Sequence, residues 1–227
     1  VEQYFGGIPS GVKQEEHIGS FYTGGFGKID SGGDDTMLMF GWDATGLTID
    51  DSPVTNVMMS MFLNSLESAY TQFMPWAKVK VEFKIPGYYG IRTMRATISS
   101  SKATARDLTK VFVTEVNRIC DVSAGEAEIE SARNYAMAEK LDKYERSDDV
   151  ALETAWQMIG RGSMYDTANR VYSIHATTQD QVCSVARRLF RGSRVTYIVS
   201  AEKKQPCYSY HEFMDAIKCT DLLREDE

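Results

Sequence analysis

The stretch KVKVEF, residues 78–83, decides the fold class. Its valine and phenylalanine side chains alternate with lysine and glutamate, which is the period of a strand with one buried face. The segment GIRTMRATIS, residues 90–99, alternates in a similar way after a turn signal at Pro86 and Gly87. The two segments therefore predict a pair of neighbouring strands.

Three more strands are predicted on either side of this pair. Residues 20–30 and 36–42 are aromatic and β-branched runs, and the turn signal SGGDD at 31–35 separates them. We expect these two strands to be neighbours in the sheet. The run RVTYIVSA, residues 194–201, predicts a closing strand near the end of the domain.

Helical spacing of apolar residues predicts six helices between these strands. The first is capped by Asp51 or Ser52, carries Pro53 in its first turn and runs to about Tyr70. The others are expected over 103–120, from a Ser123-x-x-Glu126 capping box to about 146, and over 148–159, 165–174 and 178–190. The order favours an α+β class, an antiparallel-rich sheet with helices packed on one face.

Composition excludes several functional classes. Hydrophobic residues make up 43% and charged residues 25% of 227, which is typical of a globular protein. No apolar run approaches the roughly 18 residues of a spanning helix, so we expect no direct membrane span. The net charge of −7 disfavours a nucleic-acid binder, and the arginines at 187, 188, 191 and 194 are interpreted as a solvated helix end.

The cysteines and histidines do not form a recognisable metal site. The four cysteines lack C-x-x-C spacing and are interpreted as mostly reduced and buried. Cys207, His211 and Cys219 could be drawn as zinc ligands, but their spacing matches no familiar finger. We therefore expect no cofactor and no metal.

The tail after Ala201 differs in its sequence pattern from the preceding domain. After Pro206 it predicts a short amphipathic helix with Phe213, Met214 and Ile217 on its apolar face. Such a helix is marginal alone, so it should dock either on the body of the domain or on a neighbouring subunit. We count these three residues as possible partner contacts. Three further candidates are the aromatic residues around the Pro-Gly turn, Trp76, Tyr88 and Tyr89.

Several stretches, in order, resemble one protein family. The segment GEAEIESARNYAMAEKLDKYERSDDVALETAWQMIGRG, residues 125–162, looks like the helix pair of pitrilysin-type peptidases and mitochondrial processing peptidase subunits. VARRLFRGSRVTYIVSA, residues 185–201, is similar to the helix and closing strand of the same domain. YFGGIP, residues 4–9, resembles the last helix and the end of the preceding domain in this family. YTGG, residues 22–25, resembles the start of the second-half domain in α-type subunits.

The resemblance implies a C-terminal half-domain without the catalytic machinery, because the family's H-x-x-E-H zinc helix lies in the N-terminal half. KQEEH, residues 13–17, is one substitution from that signature, but Lys13 stands where the motif needs an imidazole. An ammonium there would oppose metal binding, and we interpret this stretch as linker. The chain is thus expected not to be an enzyme by itself.

Two functions are compatible with the resemblance. The first is a non-catalytic core subunit of a mitochondrial complex, namely respiratory complex III (ubiquinol-cytochrome c reductase), on the matrix side of the inner membrane. Its implied partners are an N-terminal half-subunit, a β-type processing peptidase or core subunit, and other complex III subunits. The alternative is a substrate-enclosing half of a processing peptidase. Residues 64–83 lack the glycines of the family's α-subunit loop, which favours the first.

The resemblance also gives an expected division of the chain. Residues 1–19 would be the end of a preceding half-domain and a linker. Residues 20–202 would be the processing-peptidase-like C-terminal domain. Residues 203–227 would form a C-terminal extension that carries the short amphipathic helix.

Overall fold

The computed structural model describes most of the chain. The described residues are 7, 22–48, 50–84, 93–121, 124–142, 145–161, 167–192 and 194–217. Within these ranges one open five-stranded sheet carries helices, so the predicted α+β class is confirmed. KQEEH, Tyr88, Tyr89, Ser123 and Cys219 lie outside the described residues.

The sheet is mostly antiparallel. Its strands are β1 (Gly25–Asp30), β2 (Thr36–Asp43), β3 (Lys80–Lys84), β4 (Thr93–Ser100) and β5 (Val195–Ala201). Their spatial order is β1-β5-β2-β4-β3. β1 and β5 are parallel, and the other three pairings are antiparallel, including the predicted pair of β3 and β4.

The expectation that the first two strands are neighbours is wrong, because β5 lies between them. Thr196 in β5 pairs with Gly25 on one side and with Gly41 on the other. Burial explains the order. No residue of β5 is exposed, which suits a central strand, whereas four of the six residues of β1 are exposed, which suits an edge.

The predicted helices are present in the described part of the chain. They are α1 (Ser52–Phe73), α2 (Ala105–Asp121), α3 (Glu126–Asp142), α4 (Ser147–Arg161), α5 (Thr167–His175), α6 (Gln179–Phe190) and, in the tail, α7 (Tyr210–Ala216). Pro53 lies in the first turn of α1, as predicted. Asp51 precedes the helix but makes no side-chain cap; its carboxylate instead accepts from the Thr48 backbone and pairs with Arg188.

Aromatic rings join the helices to one face of the sheet. Phe40 of β2 stacks on Phe112 of α2 at 4.2 Å between ring centroids, and Trp42 meets Phe190 of α6 edge-on at 5.1 Å. Phe213 of α7 stacks on Phe40 at 5.1 Å. These rings are fully buried. The prediction that the helices cover one face is therefore confirmed for the helices that contact the sheet.

A second layer of helices covers the first. α3 and α5 both pack on α1 and also on each other. Ile129 and Ala132 of α3 and Ile174 of α5 are buried in this layer. None of the helices in the described part of the chain combines the length and apolar character needed to cross a bilayer.

Candidate functional site

The side of the sheet away from the helices carries no packed helix among the described residues, and we call it the open sheet face. Strand alternation places on it Gly27, Ile29, Met37, Met39, Thr97, Ser99, Ile198 and Ser200. Ile29 is 56% exposed and Met37 is also exposed. A sheet normally either buries both of its faces or keeps its exposed face polar. The apolar centre of this exposed face is therefore a candidate interface.

The strand register brings the apolar residues of this face together. Met39 lies opposite Ile198, and Met37 lies opposite Ser200, which in turn pairs with Ile29. The β3 edge of the same face is charged, with Lys80, Glu82 and Lys84 exposed. The open sheet face therefore has an apolar centre and one charged edge.

The chain entering β1 is anchored to this face. The Tyr22 hydroxyl lies 2.8 Å from the Gly41 carbonyl oxygen, to which it donates, and 2.6 Å from the Thr196 hydroxyl. A Cβ atom at Gly41 would lie 2.8 Å from the Tyr22 oxygen, so a larger residue there would displace the Tyr22 side chain. Burial raises the pKa of Tyr22 more than its bonds to Thr196 lower it. The hydroxyl therefore stays protonated as a donor at neutral pH.

Trp76 is at the surface, as a partner contact requires. It is 54% exposed and lies beside Phe73, which is 63% exposed, at the end of α1. Together with Met74, Val111 and Thr114 these residues line a hollow of about 420 Å³ between α1 and α2. We call this hollow the α1–α2 groove. The comparable expectation for Tyr88 and Tyr89 concerns residues outside the described ranges.

The three tail residues are buried in the chain's own core. Phe213 and Ile217 have no exposed surface and Met214 has almost none. Phe213 stacks between Phe40 and Tyr197, at 5.1 and 4.8 Å. Of the two docking possibilities, the body of the domain is the correct one. The hypothesis that a neighbouring subunit covers these side chains is corrected, because the sheet itself supplies their apolar environment.

Arg191 of the basic cluster holds the tail in place, a role that the sequence pattern did not indicate. The Arg191 guanidinium donates to the Ile217 carbonyl oxygen at 3.0 Å and makes two bonds to the Asp121 carboxylate, at 2.7 and 2.9 Å. Asn117 accepts from the same guanidinium and donates to the Ala216 carbonyl oxygen. The only sequence signal was that Asp121 and Arg191 lie at the ends of two apolar helices. The interpretation of this arginine as solvated is wrong.

A second set of tail contacts caps α2. The Gln205 side-chain oxygen accepts from the Ala105 backbone at 3.0 Å and from the Thr36 hydroxyl at 3.1 Å. The Pro206 carbonyl oxygen accepts from the Arg106 backbone. The first N–H groups of a helix lack partners within the helix, so the tail satisfies two of them for α2. Residues 205–217 thus belong to the packed body.

The described residues contain no group of three His, Cys, Asp or Glu side chains that could hold a metal ion. Cys207 and His211 are described, but Cys219, the third member of the set considered above, is not. Burial raises the pKa of the Cys120 thiol to about 12, and the nearby Arg191 and Arg187 only partly oppose this. Cys120 is therefore a protonated thiol packed in the core at neutral pH.

Comparisons with known proteins are informative only at the level of structure. No protein-family model and no curated protein matches the sequence. The chain is similar to a chain of complex III from Candida albicans, with a TM-score of 0.76 and 15% identity. It is also similar to a protease from Helicobacter pylori, with a TM-score of 0.68 and 13% identity. At these identities the likeness establishes the fold alone.

Coverage adds a second fact. The match to the complex III chain covers 92% of this chain and 53% of that chain. The match to the protease covers 88% of this chain and 50% of that one. The chain thus spans about half the length of both structures.

Proposed function

We propose that this protein is a non-catalytic structural core subunit of a mitochondrial complex. The complex is respiratory complex III, and the subunit lies on the matrix side of the inner membrane. The observation that carries the proposal is the likeness of nearly the whole chain to about half of a complex III chain. The partners are an N-terminal half, a β-type core subunit and other subunits of the complex.

The open sheet face supports pairing with another half. Ile29 and Met37 are exposed there, and Met39 and Ile198 are only partly covered. Burying such residues stabilises an interface by about 25 cal/mol for each Å² of apolar surface removed from water. A second half of similar size, on this or another polypeptide, would cover the apolar centre and leave the charged β3 edge at the rim.

The absence of catalysis is the second part of the proposal. A zinc hydrolase needs about three protein ligands, an open metal position and a base. His17 could supply one ligand in KQEEH, while Lys13 supplies a cation in place of the second imidazole. The missing second imidazole supports a structural role for the chain, and any zinc site would lie on another half.

The alternative is a substrate-enclosing half of a processing peptidase whose zinc site lies on another chain. The likeness to the Helicobacter protease favours it. The lack of glycine in residues 64–83 argues against it, because 64–73 belong to the regular helix α1 and provide no adaptable loop.

Native electrophoresis tests the proposal against this alternative. The full chain carries an affinity tag in its native cells, and mitochondrial membranes are solubilised in mild detergent. We expect the tagged chain to co-migrate with cytochromes b and c1, identified by their absorption spectra. A soluble dimer that cleaves presequence peptides would instead contradict the structural role.

A pair of surface variants tests the open sheet face. Ile29→Glu places a charge at the β1 border of the apolar centre, while Leu152→Glu, at a position 58% exposed on α4, is the matched control. Both positions are exposed, so both variants should fold with unchanged urea midpoints. We expect only Ile29→Glu to lose incorporation into the complex, by tenfold or more. Equal incorporation of both variants would show that this face is not an interface.

A further inference from the structure

The α1–α2 groove continues into a second, polar hollow. That hollow has a volume of about 500 Å³ and lies between α1, α2 and α3, where its lining includes Asn64, Ser68 and Ser131. Phe73 and Glu115 line both hollows. The two hollows therefore adjoin along α1 and α2, and we call them together the trough, which is apolar at the Trp76 end and polar at the α3 end.

The trough has the length of a short helix. On α2 its lining runs from Asp107 to Arg118, which is about 16 Å at 1.5 Å per residue. On α1 it runs from Met61 to Phe73, about 18 Å. Two helix stripes of this length leave a groove that accepts a third helix of about three turns.

The polar end of the trough carries excess negative charge. Arg118 bonds to Glu115 at 2.8 Å and makes two bonds to Glu128, at 3.2 and 2.8 Å. Burial alone would lower the pKa of Arg118, but the bonds and charges of Glu128 and Glu115 raise it, so the guanidinium is fully charged. Two carboxylates thus share one cation. At the other end Asp107 and Lys110 balance each other.

Glu115, which lines both hollows, keeps acceptor capacity. Its side chain is almost entirely buried. Among the described residues, the bonds from Ser65 and Arg118 both end on its Oε2 atom. The Oε1 atom can therefore accept from a donor that enters the trough, and a cationic donor gives the stronger bond.

We propose that the trough binds an amphipathic helix of another polypeptide, with its apolar stripe on Phe73, Trp76 and Val111 and one arginine or lysine beside Glu115 and Glu128. Helix-in-groove recognition uses apolar anchors at i, i+3, i+4 and i+7, which matches a trough of three turns. Aromatic anchors at one end supply affinity, and the carboxylates fix the orientation of the helix. This inference does not rest on the function proposed above.

Synthetic helices test the proposal directly. Four 14-residue peptides share one apolar stripe and a fluorophore and differ only in the terminal residue beside the carboxylates, which is Arg, Lys, Gln or Glu. Fluorescence anisotropy with the full chain measures their affinities. We expect the Arg and Lys peptides to bind at least tenfold more tightly than the Glu peptide, with Gln between them. Equal affinities, or no binding by any peptide, would overturn the proposal.

Matched variants locate the binding. Trp76→Ala and Glu128→Gln should each weaken the Arg peptide about tenfold. Tyr135→Ala, at an exposed aromatic residue of α3, and Glu126→Gln, at a neighbouring carboxylate that pairs with Arg133, should leave its affinity unchanged. If the controls weaken binding as much as the trough variants, the site lies elsewhere and the proposal fails.

Two other occupants are distinguished by separate measurements on the same protein. If the trough served a second copy, the chain would dimerise in light scattering and Trp76→Ala would abolish the dimer. If it served a membrane, the chain would sediment with vesicles of phosphatidylcholine and cardiolipin in a Trp76-dependent manner. Either result would overturn the assignment to a partner helix, and we expect neither.

Discussion

Replacing Phe213 with alanine should be one of the most damaging single changes in the tail. The ring is fully buried and stacks on Phe40 at 5.1 Å and on Tyr197 at 4.8 Å between centroids. A buried phenylalanine contributes about 3–5 kcal/mol relative to alanine, and each aromatic pair accounts for roughly 0.5–1.5 kcal/mol beyond area burial. We therefore expect Phe213→Ala to reduce the free energy of unfolding by about 4 kcal/mol.

Urea denaturation followed by far-UV circular dichroism measures this loss. The control is Tyr172→Ala, at a side chain that is 72% exposed, for which we expect a change of less than about 0.5 kcal/mol. The slope of unfolding against urea should be the same in both variants, since the fold is kept. A loss below about 1.5 kcal/mol for Phe213→Ala would refute the reasoning, because the tail helix would then not be part of the core.

Other predictions concern the sheet, a thiol and an indole. Gly24→Ala should cost at least about 1 kcal/mol in urea denaturation, because φ is +70° there and the new Cβ would lie 2.7 Å from the Val195 carbonyl oxygen. Gly46→Ala, which meets no atom within 4 Å, should be tolerated, and an equal cost at both sites would contradict this. The Cys120 thiol should resist iodoacetamide in the native protein, as mass spectrometry of its peptide can check; its ready alkylation would mean that α2 and α6 do not bury it. Stability should also fall as pH rises from 9 toward 12, because the Cys120 thiol has an ordinary pKa of 9.0 and ionises in the unfolded chain, while burial raises the folded pKa to about 12. Replacing Cys120 with alanine should flatten that decline, and an unchanged pH profile would count against it. Trp42→Phe should cost less than about 2 kcal/mol, since the described residues offer its buried indole N–H no acceptor and its removal offsets part of the cavity cost. A loss above about 3 kcal/mol would indicate that the N–H has a partner.

Local patterns in the sequence predicted the elements well. The alternation in residues 194–201 reflects the burial of one strand face. Pro53 marks a helix start because the first N–H groups of a helix have no partner within it. The structure begins β5 at Val195 and α1 at Ser52. Such features can be predicted because they depend on residues a few positions apart.

Strand order and tail docking could not be predicted in the same way. The pairing of Gly25 with Thr196 depends on how the whole chain folds back, and no local pattern encodes it. The amphipathic pattern of α7 indicates that the Phe213 side chain is buried, but either the body of the domain or a neighbouring subunit could bury it. Only the position of Phe40 and Tyr197 distinguishes the two possibilities.

The candidate site was only partly foreseen. An aromatic residue near a turn marks Trp76 as a surface contact in the sequence, and the side chain is exposed in the structure. The carboxylates that give the trough its charge, Glu115 and Glu128, carried no signal, because each looks like an ordinary helix residue until α2 and α3 meet Arg118. A site built across three helices has no sequence motif.

The central place of β5 has a consequence for synthesis of the protein. Tyr22 and Thr196, which bond to each other beside β1, lie 174 positions apart, so a ribosome has made most of the described chain before this bond can form. Until then β1 lacks the one strand with which it pairs among the described residues, and β2 presents an unpaired edge, the kind of edge that templates aggregation. The growing chain therefore passes through a long stage in which its sheet is split, and we expect it to depend on chaperones during translation.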